Sequence, residues 1–304
     1  MDRGTSCGYG GYNVNYEVYM IGGLKPKSYD VRDMKLGQAF DLPSLSELPK
    51  SFHLDLPRVL HQGFNTDFCS ATAGGSLVEL HEKAPLAWQW AFAVGKLLDG
   101  GDVDSFGLEL RTICKVLVKY GIPEEKDIPA EFASKPPEFL RRIENWPNDL
   151  YDKALKHRQG SFVSITGDTD AFDDIRRYIF KFKNQQNGVL FGVLWGWSLN
   201  QIIMETAGES NYGHALASLG WDEKDGKPYL YIQNSYGEEA GEGGRHYFGR
   251  DVINKNVDIY GAFAFNDLTK EDLRQVIQDR QLLQLSFIEK ILFYLRKYFK
   301  EIVK

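Results

Sequence analysis

Through the first half of this chain apolar residues recur at helical spacing, and through the second half they alternate or run together as in strands. That order restricts the fold to an α+β protein with its helices and strands segregated. The helical part begins at 68–81, where Ala71, Leu77, Val78 and Leu80 keep the period. Gly74 and Gly75 interrupt it at roughly 1 kcal/mol each relative to alanine, so another element must approach the helix backbone closely there. Further helices are predicted over 85–98 and 108–120, the latter closed by Gly121 and Pro123. Residues 131–157 are charged and broken by proline, which predicts surface helices and loops.

Strand patterns follow at 161–165, 189–194, 214–221, 228–234 and 260–265, with one helix at 170–183 between the first two. Asp222-Glu-Lys-Asp-Gly226 joins two of the strands as a turn. Residues 1–50 read as an irregular N-terminal arm, rich in glycine early and interrupted by Pro26, Pro43 and Pro49. A domain over 51–267 follows, helical over about 51–157 and strand-rich over about 158–267. Residues 268–304 form a helical appendage. There Phe287, Ile288, Ile291, Leu292, Leu295 and Phe299 make an apolar stripe between basic residues, suited to packing, self-association or partner docking.

Charge and cysteine content exclude several classes. A net charge of −6 argues against nucleic acid as the main partner, because phosphate binding needs clustered cations. No apolar run approaches the ~20 residues of a membrane span, and residues 1–30 lack the pattern of a secretion signal. The expected setting is the cytoplasm, or a particle assembled in it. Three cysteines, Cys7, Cys69 and Cys114, make neither a disulfide framework nor a zinc site, and no metal or cofactor is expected. Cys114 sits on the core side of a helical pattern and Cys7 in a Gly/Tyr-rich leader.

Cys69 stands apart because of its neighbours. It opens a predicted helix after the turn-forming Asn65-Thr-Asp67, where the helix field favours a thiolate. His214 follows Gly213 at a strand end, exposing an imidazole there. Asn234 ends another strand before Ser235-Tyr236-Gly237, and its amide can fix which tautomer that imidazole adopts. Gln62 can offer an amide N–H to an oxyanion, together with the backbone N–H of Cys69.

These three patterns, in this order, resemble the papain-like cysteine peptidases, in particular their bacterial and phage branch. Gln62-Gly63 with Cys69 resembles the entry to that family's central helix. Gly213-His214-Ala215 with Gly220 resembles its histidine strand, and Asn234-Ser235-Tyr236-Gly237 its Asn-Ser-Trp-Gly turn. The 145 residues from Cys69 to His214 (214 − 69) fall within the ~130–150 common in that family. The resemblance implies a two-lobe fold, one lobe helical and the other strand-rich and barrel-like, with Cys69, His214, Asn234 and Gln62 as the catalytic set. Gly107, Gly213 and Tyr236 are then expected to line the substrate site, and the substrate to be a peptide or protein.

Several departures from the family pattern qualify this. The usual upstream cysteine and following tryptophan are absent around Cys69. The Gln62–Cys69 spacing is one residue longer than usual, which can draw the amide away from the oxyanion. Asp67 places a negative charge near the thiol, and Tyr236 stands for tryptophan. About fifty residues precede the domain, fewer than the family's long inhibitory propeptides. Two alternatives follow: a weakly active or inactive papain-fold component of an assembly such as a phage particle, anchored by the C-terminal helix; or another Cys-His-Asn chemistry, acyl transfer or amide hydrolysis.

Overall fold

A computed structural model describes residues 23–28, 30–63, 66–100, 103–166, 169–208 and 212–284. Its first long helix, α1 (Cys69–Glu82), is buried on every side from Cys69 to Leu80, so it forms the central rod of the core. The glycine pair works as the sequence predicts. A Cβ on Gly74 would meet Ile113 Cγ2 at 2.8 Å, and one on Gly75 would meet Trp88 Cβ at 2.8 Å. These contacts come from α2 (Trp88–Leu98) and α3 (Leu110–Lys119), which close on α1 at the two bare positions. Residues 131–157 form short helical turns, as expected, anchored by buried Phe132, Leu140, Trp146 and Leu150.

The strands make one sheet in the order β2-β8-β3-β5-β6-β7-β4, with the two-residue β1 (Phe52–His53) joined to β5. They are β2 (Ser161–Ile165), β3 (Val189–Leu194), β4 (Ile203–Met204), β5 (Gly213–Lys224), β6 (Lys227–Gln233), β7 (Arg245–Phe248) and β8 (Ala262–Asn266). The sheet is open: its outer strands, β2 and β4, do not pair with each other. In this the strand-rich part departs from a barrel. The β5–β6 hairpin extends to Lys224 and Lys227, so the turn is tighter than expected. Asp225 and Gly226, both at positive φ, make it.

Helix α4 (Ala171–Lys181) starts with the Asp170 carboxylate capping the Asp173 N–H at 3.2 Å. Helix α5 (Arg250–Tyr260), not foreseen from the sequence, occupies the stretch before β8. Its pattern is short and mostly polar, and burial of Val252, Ile253, Val257 and Tyr260 against β3 stabilises it. Tyr260 therefore ends a helix and does not open a strand. Helix α6 (Lys270–Gln284) follows β8 and buries Leu273, while the amphipathic stripe at 287–303 and Cys7 lie outside the described residues. Cys114 is a free, buried core residue.

The candidate site lies where α1 packs on β5. Cys69 heads the helix, and His214 is the second residue of the strand.

Candidate active site

The imidazole half of the site is fixed by strands. His214 is fully buried, and its Nε2 lies 2.8 Å from Asn234 Oδ1. Asn234 follows β6, and its backbone N–H donates to the Gly244 carbonyl at 2.9 Å. The same Oδ1 accepts the Ser235 backbone N–H at 2.8 Å. A backbone N–H can only donate, so the atom it faces is the amide oxygen. His214 Nε2 consequently carries the proton, leaving Nδ1 as the bare nitrogen, without a hydrogen-bond partner. Tyr236 stacks on the imidazole at 5.3 Å between centroids, and Trp195 meets it edge-on at 5.2 Å. Burial pulls the His214 pKa down to about 4, opposed by the bond to Asn234.

Cys69 is likewise fully buried. Burial pushes its thiol up to about 12 and Asp67 adds to that push, while the backbone N–H groups of Ala215, the residue after His214, and of Ser70 and Cys69 at the helix start pull the other way. In this conformation the thiol and imidazole are both neutral.

Asp67 has more to do than oppose the thiolate. Its buried carboxylate accepts the Gly107 backbone N–H at 2.7 Å and Arg141 Nη2 at 3.1 Å, with Lys96 Nζ at 3.8 Å. Lys96 donates to the Gly107 carbonyl at 2.9 Å. Its pKa is drawn down to about 8, chiefly by burial and against the pull of Asp67. This network ties the approach to Cys69 to the Gly107 loop, a role invisible in the sequence because its members are 11 to 74 positions apart.

Gln62 joins the site by a different route from the one expected. Its backbone N–H donates to the Ser235 carbonyl at 2.8 Å, and its Oε1 accepts the Ser235 hydroxyl at 2.6 Å. Its amide nitrogen faces Thr66, 3.2 Å from the carbonyl and 3.3 Å from the hydroxyl. The side chain thus bridges the asparagine turn and the nucleophile loop, and its N–H groups are engaged by Thr66. An oxyanion would have to draw one away.

Gly107 and Gly213 face each other across an extended piece of the N-terminal arm. Gly23 and Leu24 both donate to the Gly213 carbonyl, at 3.1 and 3.0 Å. Leu108 donates to Gly23 O and Lys25 donates to Leu108 O, both at 3.0 Å. Gly107, at φ +70°, could bear no side chain here, since a Cβ would sit 1.7 Å from Gly23 O. Leu24 is buried beside Gly192, Gly213 and Tyr260. Residues 23–25 of the arm therefore run between the two walls of the site.

Sequence reasoning passed over two residues. Trp195 lies beyond β3 in a segment without clear period. His246 lies in β7, after a glycine-rich run that hides a short strand, and its Nε2 is 2.9 Å from Asn234 Nδ2. The aromatic pair Tyr247-Phe248 was the available signal. Among the described residues no group of His, Cys, Asp and Glu is placed to hold a metal ion, and no helix is long and apolar enough to cross a membrane.

An open sheet against a central buried helix, with a cysteine at the helix start, a histidine near the start of one strand and its asparagine partner just past the end of the next, defines the papain fold. Comparison with solved structures agrees. Xylellain, a cysteine protease from Xylella fastidiosa, superposes with a TM-score of 0.63 at 21% identity, over 81% of this chain and 96% of that one. Procathepsin B from Trypanosoma congolense gives 0.53 at 16% identity, over 82% and 87%. The resemblance also holds at family level: residues 195–263 match the papain family cysteine protease model. A cathepsin B-like cysteine proteinase from Ostertagia ostertagi is 35% identical over 57 residues, 19% of this chain and 33% of that relative's length.

Proposed function

We propose that the chain is a cysteine peptidase that hydrolyses peptide bonds through Cys69, His214 and Asn234. The observation that carries the reading is the buried His214–Asn234 pair, whose geometry leaves Nδ1 bare beside the strand residue that contacts the thiol. In the first half-reaction the Cys69 proton passes to His214 Nδ1 and the sulfur attacks the carbonyl carbon. The C–N bond then breaks, and the leaving amine takes that proton. In the second, water attacks the acyl carbon, Nδ1 receives its proton, and the thiolate departs to be reprotonated.

The Cys69 backbone N–H and one Gln62 amide N–H, released from Thr66, hold the oxyanion. Gly107 and Gly213 offer backbone groups to the substrate chain, and Tyr236 shields the His214–Asn234 bond from water. Because thiol and imidazole are neutral while the site is covered, arming it requires residues 23–25 to leave, readmitting water and favouring the charged pair.

The test is labelling by an epoxide thiol inhibitor at neutral pH, read by intact mass with a peptide-library hydrolysis assay alongside. One adduct on wild type, absent in Cys69→Ala and much reduced in His214→Ala, together with hydrolysis lost in both, is expected. Equal labelling of wild type and Cys69→Ala, with no hydrolysis by either, would overturn the reading.

A further inference from the structure

The described residues hold a second buried histidine, His246, which the peptidase reading leaves unused. It is completely inaccessible, on β7, one strand away from the Asn234 end of β6. Its Nδ1 lies 2.7 Å from the Gln201 carbonyl, and its Nε2 lies 2.9 Å from Asn234 Nδ2.

A carbonyl can only accept, so His246 Nδ1 carries the proton. In a neutral imidazole Nε2 is then the acceptor, and the Asn234 atom facing it must be the NH2 group. From the opposite side, the Ser235 backbone N–H requires the other Asn234 atom to be the oxygen. Two groups whose roles cannot reverse, one carbonyl and one amide, therefore impose the same orientation on Asn234 from both ends.

We infer that His246 is a positioning residue: it clamps the Asn234 amide with its oxygen toward His214 Nε2, so that His214 offers a bare Nδ1 to the Cys69 thiol. The surroundings suit a fixed ring. Trp195 meets both imidazoles edge-on, His214 at 5.2 Å and His246 at 5.4 Å. Gly241 adopts φ +57°, and a Cβ there would sit 2.6 Å from His246 Nδ1, so the backbone is bare where the ring needs room. Without His246 the Asn234 NH2 group is buried and unsatisfied. The amide then gains by rotating or admitting water, and the imidazole loses its tautomeric preference.

The tautomer part stands on hydrogen bonding alone; the catalytic consequence rests on the peptidase reading. The experiment is a long-range proton–nitrogen correlation spectrum of the full-length protein labelled with ¹⁵N-histidine, at pH 7, for wild type, His246→Phe and His246→Gln. Expected in wild type are an Nδ1–H tautomer for His246 and an Nε2–H tautomer for His214. His246→Phe should turn His214 into a mixture of tautomers. On any peptide found to be cleaved, it should lower kcat by up to about 10²-fold with KM held.

His246→Gln, whose side-chain oxygen can still accept from Asn234, should restore much of both. An Nε2–H or doubly protonated His246 in wild type would overturn the inference, even if the Phe variant fails to fold. So would an unchanged His214 tautomer in a folded Phe variant. A tautomer change with no hydrolysis by wild type upholds the clamp and removes the peptidase reading.

Discussion

The two halves of the candidate site are built by opposite means. The imidazole half hangs on paired strands: His214 on β5, Asn234 just past β6 and His246 on β7 are brought together by the β5–β6 and β6–β7 pairings, with the Asn234 N–H held by the Gly244 carbonyl. The Asn234 amide oxygen takes His214 Nε2 and the Ser235 N–H, its NH2 group meets His246 Nε2, and each donor or acceptor role follows from the next. The thiol half hangs on loops. Cys69 heads a helix with no side-chain cap, Gln62 is shared between Ser235 and Thr66, and Asp67 reaches for Gly107, Arg141 and Lys96. Strands hold a tautomer; loops hold a position that a ligand can alter. On the peptidase reading, a site assembled this way would keep its base ready and make its nucleophile conditional.

The largest effect should come from breaking the thiol half at its reacting atom. Cys69→Ala is expected to lower peptide hydrolysis by about 10⁴-fold or more with unchanged fold, measured as kcat/KM with a circular dichroism control. Next is Asp67→Ala, which strips the counter-charge from buried Lys96 and half-buried Arg141 and the acceptor from Gly107. A loss of about 3–5 kcal/mol is expected in denaturant unfolding, because uncompensated buried charge is costly. An unchanged midpoint would mean the loop is held by something else.

The imidazole half should reveal itself through pH. In the unfolded chain a histidine takes up a proton near 6.5; in the fold His214 and His246 resist it until about 4. Across that window the unfolded state binds more protons, so stability falls as pH drops from 6.5 toward 4, by on the order of 3 kcal/mol per histidine. His246→Phe should flatten that slope. A slope equal to wild type's would deny His246 its buried neutral state. The smallest effect concerns the arm: Leu24→Ala should leave the fold intact and raise the Cys69 labelling rate several-fold, about 1 kcal/mol of cover removed. A slower rate would show the arm helping to arm the thiol.

Much of this was legible because period and punctuation act locally. Gly74-Gly75 announced two close helix approaches, and the strand patterns at 161–165 and 189–194 matched β2 and β3. Helix α5 escaped because its polar residues outnumber the four that pack. Strand β7 escaped because the glycines before it read as loop. The Asp67 network, the Thr66 hold on Gln62 and the His246 clamp join residues brought together only by tertiary packing, and no local pattern records them. Asp67 in particular reads as a harmful charge until its two cations and one amide are seen.

The glycines lining the arm carry a quantitative consequence. Gly23, Gly107 and Gly213 let three backbones lie side by side, so the arm is held through main-chain groups that any extended peptide also carries. Its advantage over a free peptide is attachment: a short tether gives an effective concentration on the order of millimolar. A dilute peptide with equal contacts loses that competition. One that fills the Leu24 position better, or arrives at high local density, wins it. Selectivity at this site would then begin with abundance and tethering, before any side chain is read.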